Sequence, residues 1–168
     1  MIHVCSLARL HSTVTETRAR RIVTLMKDVS MVKRPESVLA GDHLLLDMDD
    51  ISEPIDGYVL PGETHVTQLI DFVMGWDRAA PLVVHCYAGI SRSTAGAFIT
   101  ACALNPGRDE HRIARLIREA SPTAQPNIRL VSLADRALGR KGRMIEAVME
   151  MGPAATAYEG VPFRLDLE

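Results

Sequence analysis

The period of the apolar positions changes along the chain. Residues 2–7 form a short β-leaning run and predict a first strand. Residues 15–27 place Ala19, Ile22, Val23 and Met26 on one helical face. They follow Thr13-Val14-Thr15-Glu16, which has the hydroxyl-to-carboxylate spacing of a capping box, so a helix is expected there. Residues 43–48 read as a Leu-rich second strand. Residues 47–57 are a polar loop carrying Asp47, Asp49, Asp50, Pro54, Asp56 and Gly57, and Pro61-Gly62 is a further break. Apolar residues at 66, 69, 70 and 73 predict an amphipathic helix over 64–76, with Thr64 as its cap. Residues 81–85 (Pro-Leu-Val-Val-His) are continuously apolar between turn signals, the pattern of a buried parallel strand.

A small-residue, helix-favouring stretch over 93–104 follows and stops at Asn105-Pro106-Gly107. Further helices are expected over 109–120, from Asn127 to about residue 138, and over 142–151, with a tail closing on 161–165. Strands alternating with helices early, and helices clustering late, predict an α/β fold. Its centre is a mostly parallel sheet flanked by helices, in a single domain over residues 1–168.

Composition narrows the function classes. The 168 residues are 47% hydrophobic and 24% charged, values of a packed globule. A net charge of −2 argues against a nucleic-acid partner, and the Arg18, Arg20, Arg21 cluster reads as a solvated face. No apolar run approaches the roughly 18 residues of a membrane span, and His3, Arg9 and His11 interrupt any secretory leader. Three cysteines are too few for a disulfide scaffold, so a reduced, cytoplasmic protein is expected. Without a Cys-x2-Cys pair or a His-Glu-x-x-His motif, neither metal nor cofactor is expected.

The chemistry concentrates in His85-Cys86-Tyr87-Ala88-Gly89-Ile90-Ser91-Arg92-Ser93, between a buried strand and a helix start. Unpaired N–H groups and the helix dipole favour an anion at such a junction. A loop curled over Tyr87, Ala88, Gly89, Ile90 and Ser91 aims its N–H groups at one point. Arg92 adds a planar fork matched to two phosphate oxygens. Cys86, at the base, is placed where a thiol is favoured as its nucleophilic thiolate. It could attack phosphorus in line and form a phosphocysteine, while the Ser93 hydroxyl helps the sulfur leave. His85 points away from the cavity and holds the loop. Cys5 and Cys102 read as core residues.

The string from His85 to Ser93 resembles the signature of the cysteine-based protein tyrosine phosphatases, and its His-Cys-x-Ala-Gly-x-Ser-Arg-Ser form resembles the dual-specificity branch, including its small bacterial-type members. Ser121-Pro122-Thr123-Ala124-Gln125-Pro126-Asn127 partly matches the family's Arg-Pro-x-x-x-Pro-Asn stretch. The resemblance covers roughly residues 40 to 138. It implies a protein tyrosine phosphatase, phosphotyrosine-directed or dual-specific, acting on a phosphoprotein or a small phosphate monoester without metal. It also implies an upstream aspartate that protonates the leaving oxygen and later activates water. Asp50 is favoured for that role because it opens the loop after the second strand; Asp56, Asp49 and Asp47 remain alternatives. Two other readings stand beside it: a pseudophosphatase that binds phosphoproteins without turnover, and a phosphoinositide phosphatase. The uncharged loop residues weigh against the second.

Overall fold

The computed structural model describes residues 1–166. Strands β1 (Ile2–Ser6), β2 (Arg21–Leu25), β3 (His43–Leu46), β4 (Leu82–Cys86) and β5 (Phe163–Leu165) form one sheet in the order β3-β2-β4-β1-β5. The first four are parallel, and β5 runs antiparallel along β1. The helices are α1 (Leu10–Thr17), α2 (Glu63–Met74), α3 (Arg92–Leu104), α4 (Glu110–Ala120), α5 (Ile128–Ala137) and α6 (Arg143–Glu150). This is the mostly parallel, helix-flanked sheet expected from the alternation of patterns.

The period of two along the strands sorts the core into two layers. Ile2 and Val4, Val23 and Leu25, and Leu82 and Val84 share the face covered by α2 to α6. Cys5, Ile22 and Val83 face the other way, against Leu10 and Val14 of α1. Leu82, Val83 and Val84 are wholly buried, each contributing about 1.5–3 kcal/mol of apolar burial. That is why β4 reads as a continuous apolar run.

Helix α3 is buried over twelve of its thirteen residues. Its small side chains let it lie close on the sheet: a Cβ on Gly96 would stand 2.9 Å from Val84 Cγ1 and 3.1 Å from Leu25 Cδ1. Its Thr100 hydroxyl is satisfied within the helix, Oγ1 donating to the Gly96 carbonyl at 2.7 Å. The strand–loop–helix unit carrying the site is therefore held at the centre of the molecule.

Four expectations are corrected. The helix expected over 15–27 is instead the end of α1 followed by β2. Arg18, at φ +56°, ends α1 in the left-handed region. Ile22, Val23 and Thr24 are β-branched and suit a strand covered on both sides; the helical spacing of residues 19, 22, 23 and 26 is coincidental. Thr13 lies inside α1 and is buried, while Ser6 Oγ accepts from the Arg9 N–H one turn earlier. Within the basic cluster, Arg18 and Arg20 are exposed, but Arg21 stacks over Phe72 and pairs with Asp42 at 3.4 Å. Helix α2 is capped not by Thr64 but by Gly62, whose N–H donates to His65 Nδ1 at 3.1 Å.

The later helices start close to their expected positions because their caps are local. Asp109 accepts from the Arg112 N–H, and Asn127 from the Leu130 N–H. Asp135 receives the Gly142 and Met144 N–H groups at the head of α6. Among the described residues, no helix is long and apolar enough to cross a membrane.

Candidate active site

The loop from Cys86 to Ser91 leaves the carboxyl end of β4 and enters α3. Four of its carbonyls are drawn outward. The Tyr87 carbonyl accepts from Leu7 N–H, that of Ala88 from Gly160 N–H, that of Ile90 from Gln125 N–H, and that of Ser91 from Asn127 and Ala95 N–H. In a trans peptide the next residue's N–H points opposite to the carbonyl. The N–H groups of Ala88, Gly89, Ser91 and Arg92 therefore turn to the concave side. The Gly89 N–H confirms the direction by donating to Cys86 Sγ at 3.3 Å. The result is a ring of donors above a sulfur, at a helix N-terminus.

Gly89 has φ +73°, and a Cβ there would lie 2.8 Å from the Cys5 carbonyl carbon and the Ser6 nitrogen. Only glycine fits this close approach to β1. Cys86 is buried, and its Sγ lies 3.1 Å from Ser93 Oγ. Arg92 is also buried and donates through Nη1 to the Met48 carbonyl at 2.7 Å. Its Nε, buried without a hydrogen-bond partner among the described residues, lies 4.0 Å from Asp50 Oδ2. The guanidinium is thus anchored at one nitrogen with donors left over.

The four aspartate candidates separate by what they touch. Asp47 accepts from the Asp28 N–H, and Asp49 from the Val59 N–H at 2.6 Å, so both brace the main chain. Asp56 stands in an exposed turn and, unlike its neighbour Ile55, does not line the cleft. Asp50 lines the cleft, and its Oδ1 accepts from Ser91 Oγ at 2.7 Å and from Asn127 Nδ2 at 2.8 Å. Asn127 meanwhile caps α5 through its own oxygen, so one side chain ties the helix start to the carboxylate.

His85 lies on the opposite face of β4 from Cys86. Its Nε2 is 2.6 Å from Thr24 Oγ1, which is itself 2.8 Å from His43 Nε2. Burial lowers both imidazoles to about 4, so both are neutral near pH 7. A single hydroxyl donates to one ring and accepts from the other, so the two tautomers are complementary at Nε2. All three cysteines are free thiols. Burial pushes Cys5 and Cys102 up to about 12, which leaves them inert as core residues.

A cleft of about 860 Å³ opens above the loop, lined by Asp50, Ile51, Glu53, Tyr87, Ile128 and Tyr158, among others. Tyr87 is exposed at its mouth rather than packed. The sequence reading missed two contributions. The Asn127 amide could have been suspected from its place at the end of the Pro-x-x-x-Pro-Asn stretch. The tail wall formed by Ala157 and Tyr158 had no local signal, because only the return of the chain along β1 brings it there.

No protein-family model and no curated protein sequence matches the chain. Solved structures do. The Cydia pomonella PTP-2 phosphatase superposes with a TM-score of 0.63 at 20% identity, covering 80% of this chain and 84% of that one. DUSP15 gives 0.62 at 16% identity, covering 89% of each chain. PTPMT1, solved in complex with PI(5)P, gives 0.60 at 12% identity, covering 90% of this chain and 92% of its own. The architecture is that of the cysteine-based protein tyrosine phosphatases. More narrowly, it is dual-specificity-like.

Proposed function

We infer that the chain is a metal-independent phosphomonoester hydrolase of the protein tyrosine phosphatase type. The observation that supports this best is the loop itself, with outward carbonyls, inward N–H groups, Cys86 sulfur at the base and the partly unengaged Arg92 guanidinium beside it. In this mechanism the loop N–H groups and Arg92 bind the phosphoryl oxygens and stabilise charge developing on them. The Cys86 thiolate attacks phosphorus. As the S–P bond forms, the P–O bond to the leaving group breaks, and that oxygen takes a proton from Asp50. Asp50 then accepts a proton from the attacking water. The S–P bond breaks, inorganic phosphate forms, and the Ser93 hydroxyl donates to the returning thiolate.

The support for Asp50 is its place on the cleft wall with Oδ1 held by Ser91 and Asn127, which leaves Oδ2 for the transferable proton. For substrate, a phosphotyrosyl protein or a small aryl phosphate fits best. Arg92 is the one cation lining the cleft among the described residues, a poor match for a polyphosphorylated lipid headgroup. The free thiols suit a reducing compartment such as the cytoplasm.

The test is hydrolysis of p-nitrophenyl phosphate in EDTA and reductant. Vanadate-sensitive turnover is expected of the wild type and none of Cys86→Ser. Arg92→Lys should lose most activity, since a point charge cannot replace a fork. Asp50→Ala should slow poor leaving groups by about 10²–10⁴-fold and activated ones least. If EDTA abolishes turnover, or Cys86→Ser retains it, the assignment is wrong.

A further inference from the structure

The segment that follows α6 crosses the molecule as a strap pinned at both ends. At one end Arg118 Nη2 donates to the Gly152 carbonyl at 3.2 Å, and the Ala155 N–H donates to the Pro122 carbonyl at 3.0 Å. At the other, Ser6 Oγ donates to Glu159 Oε1, and the Gly160 N–H donates to the Ala88 carbonyl at 2.9 Å. Gly160 lies so close to the signature loop that a Cβ on it would stand 2.6 Å from the Gly89 carbonyl oxygen. After Gly160 the chain enters β5 and is fixed to β1.

Tyr158 sits just before these last anchors. Its side chain is fully exposed, yet it lines the cleft above Cys86. Single exposed apolar side chains mean little, but here they gather. Ile55, Tyr87, Ile128 and Tyr158, all exposed, border this one cleft. They come from the aspartate loop, the signature loop, the head of α5 and the strap. A ring of apolar and aromatic groups around a polar floor is the make-up of a site that holds more than a phosphate. The anchored backbone on either side keeps the tyrosine at the rim without a main-chain ordering cost at binding.

We propose that the strap, residues 155–160, is a specificity element of the active site and that Tyr158 contacts the substrate beyond its phosphoaryl group, packing against the residues that flank a phosphotyrosine. This rests on the hydrolase reading above. The flanking groups it accepts are apolar or cationic, because Asp50 and Glu53 line the same cleft and Arg92 is committed to the phosphate.

The experiment compares wild type, Tyr158→Ala and Tyr158→Phe on p-nitrophenyl phosphate and on a lysine-containing phosphotyrosyl peptide. Thermal melts check that each variant is folded. For Tyr158→Ala, KM for the peptide should rise about fivefold, the scale of one aromatic contact. The effect on p-nitrophenyl phosphate should be at least threefold smaller, peptide kcat should move less than KM, and Tyr158→Phe should restore peptide KM. Equal losses on both substrates, no loss on the peptide, or failure of phenylalanine to restore it would overturn the proposal. The same peptide is titrated into Cys86→Ser with and without Tyr158→Ala. If the wild type hydrolyses nothing, the hydrolase reading fails, but a fivefold weaker titration on losing Tyr158 still supports the strap. Unchanged affinity, or no binding by either protein, sinks it.

Discussion

Replacing Gly89 with alanine tests how the signature loop is held. The new Cβ would stand 2.8 Å from the Cys5 carbonyl carbon, 2.8 Å from the Ser6 nitrogen and 3.1 Å from the Cys5 oxygen. Ordinary contact needs about 3.5 Å, so something must move by roughly 0.7 Å. The obstructing atoms are main chain of β1, paired on one side to β4 at Cys5↔His85 and Ser6↔Cys86. That strand does not yield, so the loop does. The φ of +73° adds about 1–2 kcal/mol for any L side chain. With overpacking at about 1–3 kcal/mol, a stability loss of about 2–5 kcal/mol is expected.

The catalytic cost should be larger. The Gly89 N–H, now 3.3 Å from Cys86 Sγ, would leave hydrogen-bond range, and neighbouring donors would turn with it. Loop donors must hold to about 0.5 Å, and a misplacement near 1 Å costs about 10²-fold in rate. The assays are kcat/KM on p-nitrophenyl phosphate and the urea midpoint, with Gly107→Ala as control, since a Cβ there meets nothing within 4 Å. Gly89→Ala with wild-type activity and stability would refute the account of a loop wedged against β1.

Other predictions follow from single contacts. Asn127→Ala removes both the α5 cap and a donor to Asp50; it should cost about 1 kcal/mol of stability and slow poor leaving groups more than good ones, read from a series of aryl phosphates. His85, lowered by burial to about 4 in the folded protein, binds its proton more readily when unfolded. Its contribution to stability is therefore complete above about pH 6.5 and lost as pH falls toward 4, on the order of 3 kcal/mol; urea midpoints should fall over that window, and less steeply in His85→Asn. Glu110→Ala strips Arg140 of its buried partner, now at 2.9 Å, and should destabilise by about 3–5 kcal/mol in denaturant melts, whereas a loss below 1 kcal/mol would mean that the Pro106 and Cys102 carbonyls suffice for the guanidinium.

The parts of this protein legible in the sequence are those specified by neighbours along the chain. Leu82-Val83-Val84 declares a strand buried on both sides. Asp109 and Asn127 cap helices through residues three positions away. The string from His85 to Ser93 carries its strand, turn and helix start together, so the expectation of an anion loop needs no distant partner. The segment over residues 21–25 reads as helix because its apolar spacing fits one, and only pairing with β3 and β4 makes a strand the better use of it. Four aspartates near residue 50 look alike in sequence. They differ in the fold, where Val59 and Asp28 N–H groups occupy Asp49 and Asp47 while Ser91 and Asn127 draw Asp50 to the cleft. The strap is the extreme case: Gly160 meets Ala88 across 72 residues, and Glu159 meets Ser6 across 153. Contacts at such separations form only when the sheet has already brought both segments together, so the wall that Tyr158 adds to the cleft was decided by tertiary structure alone.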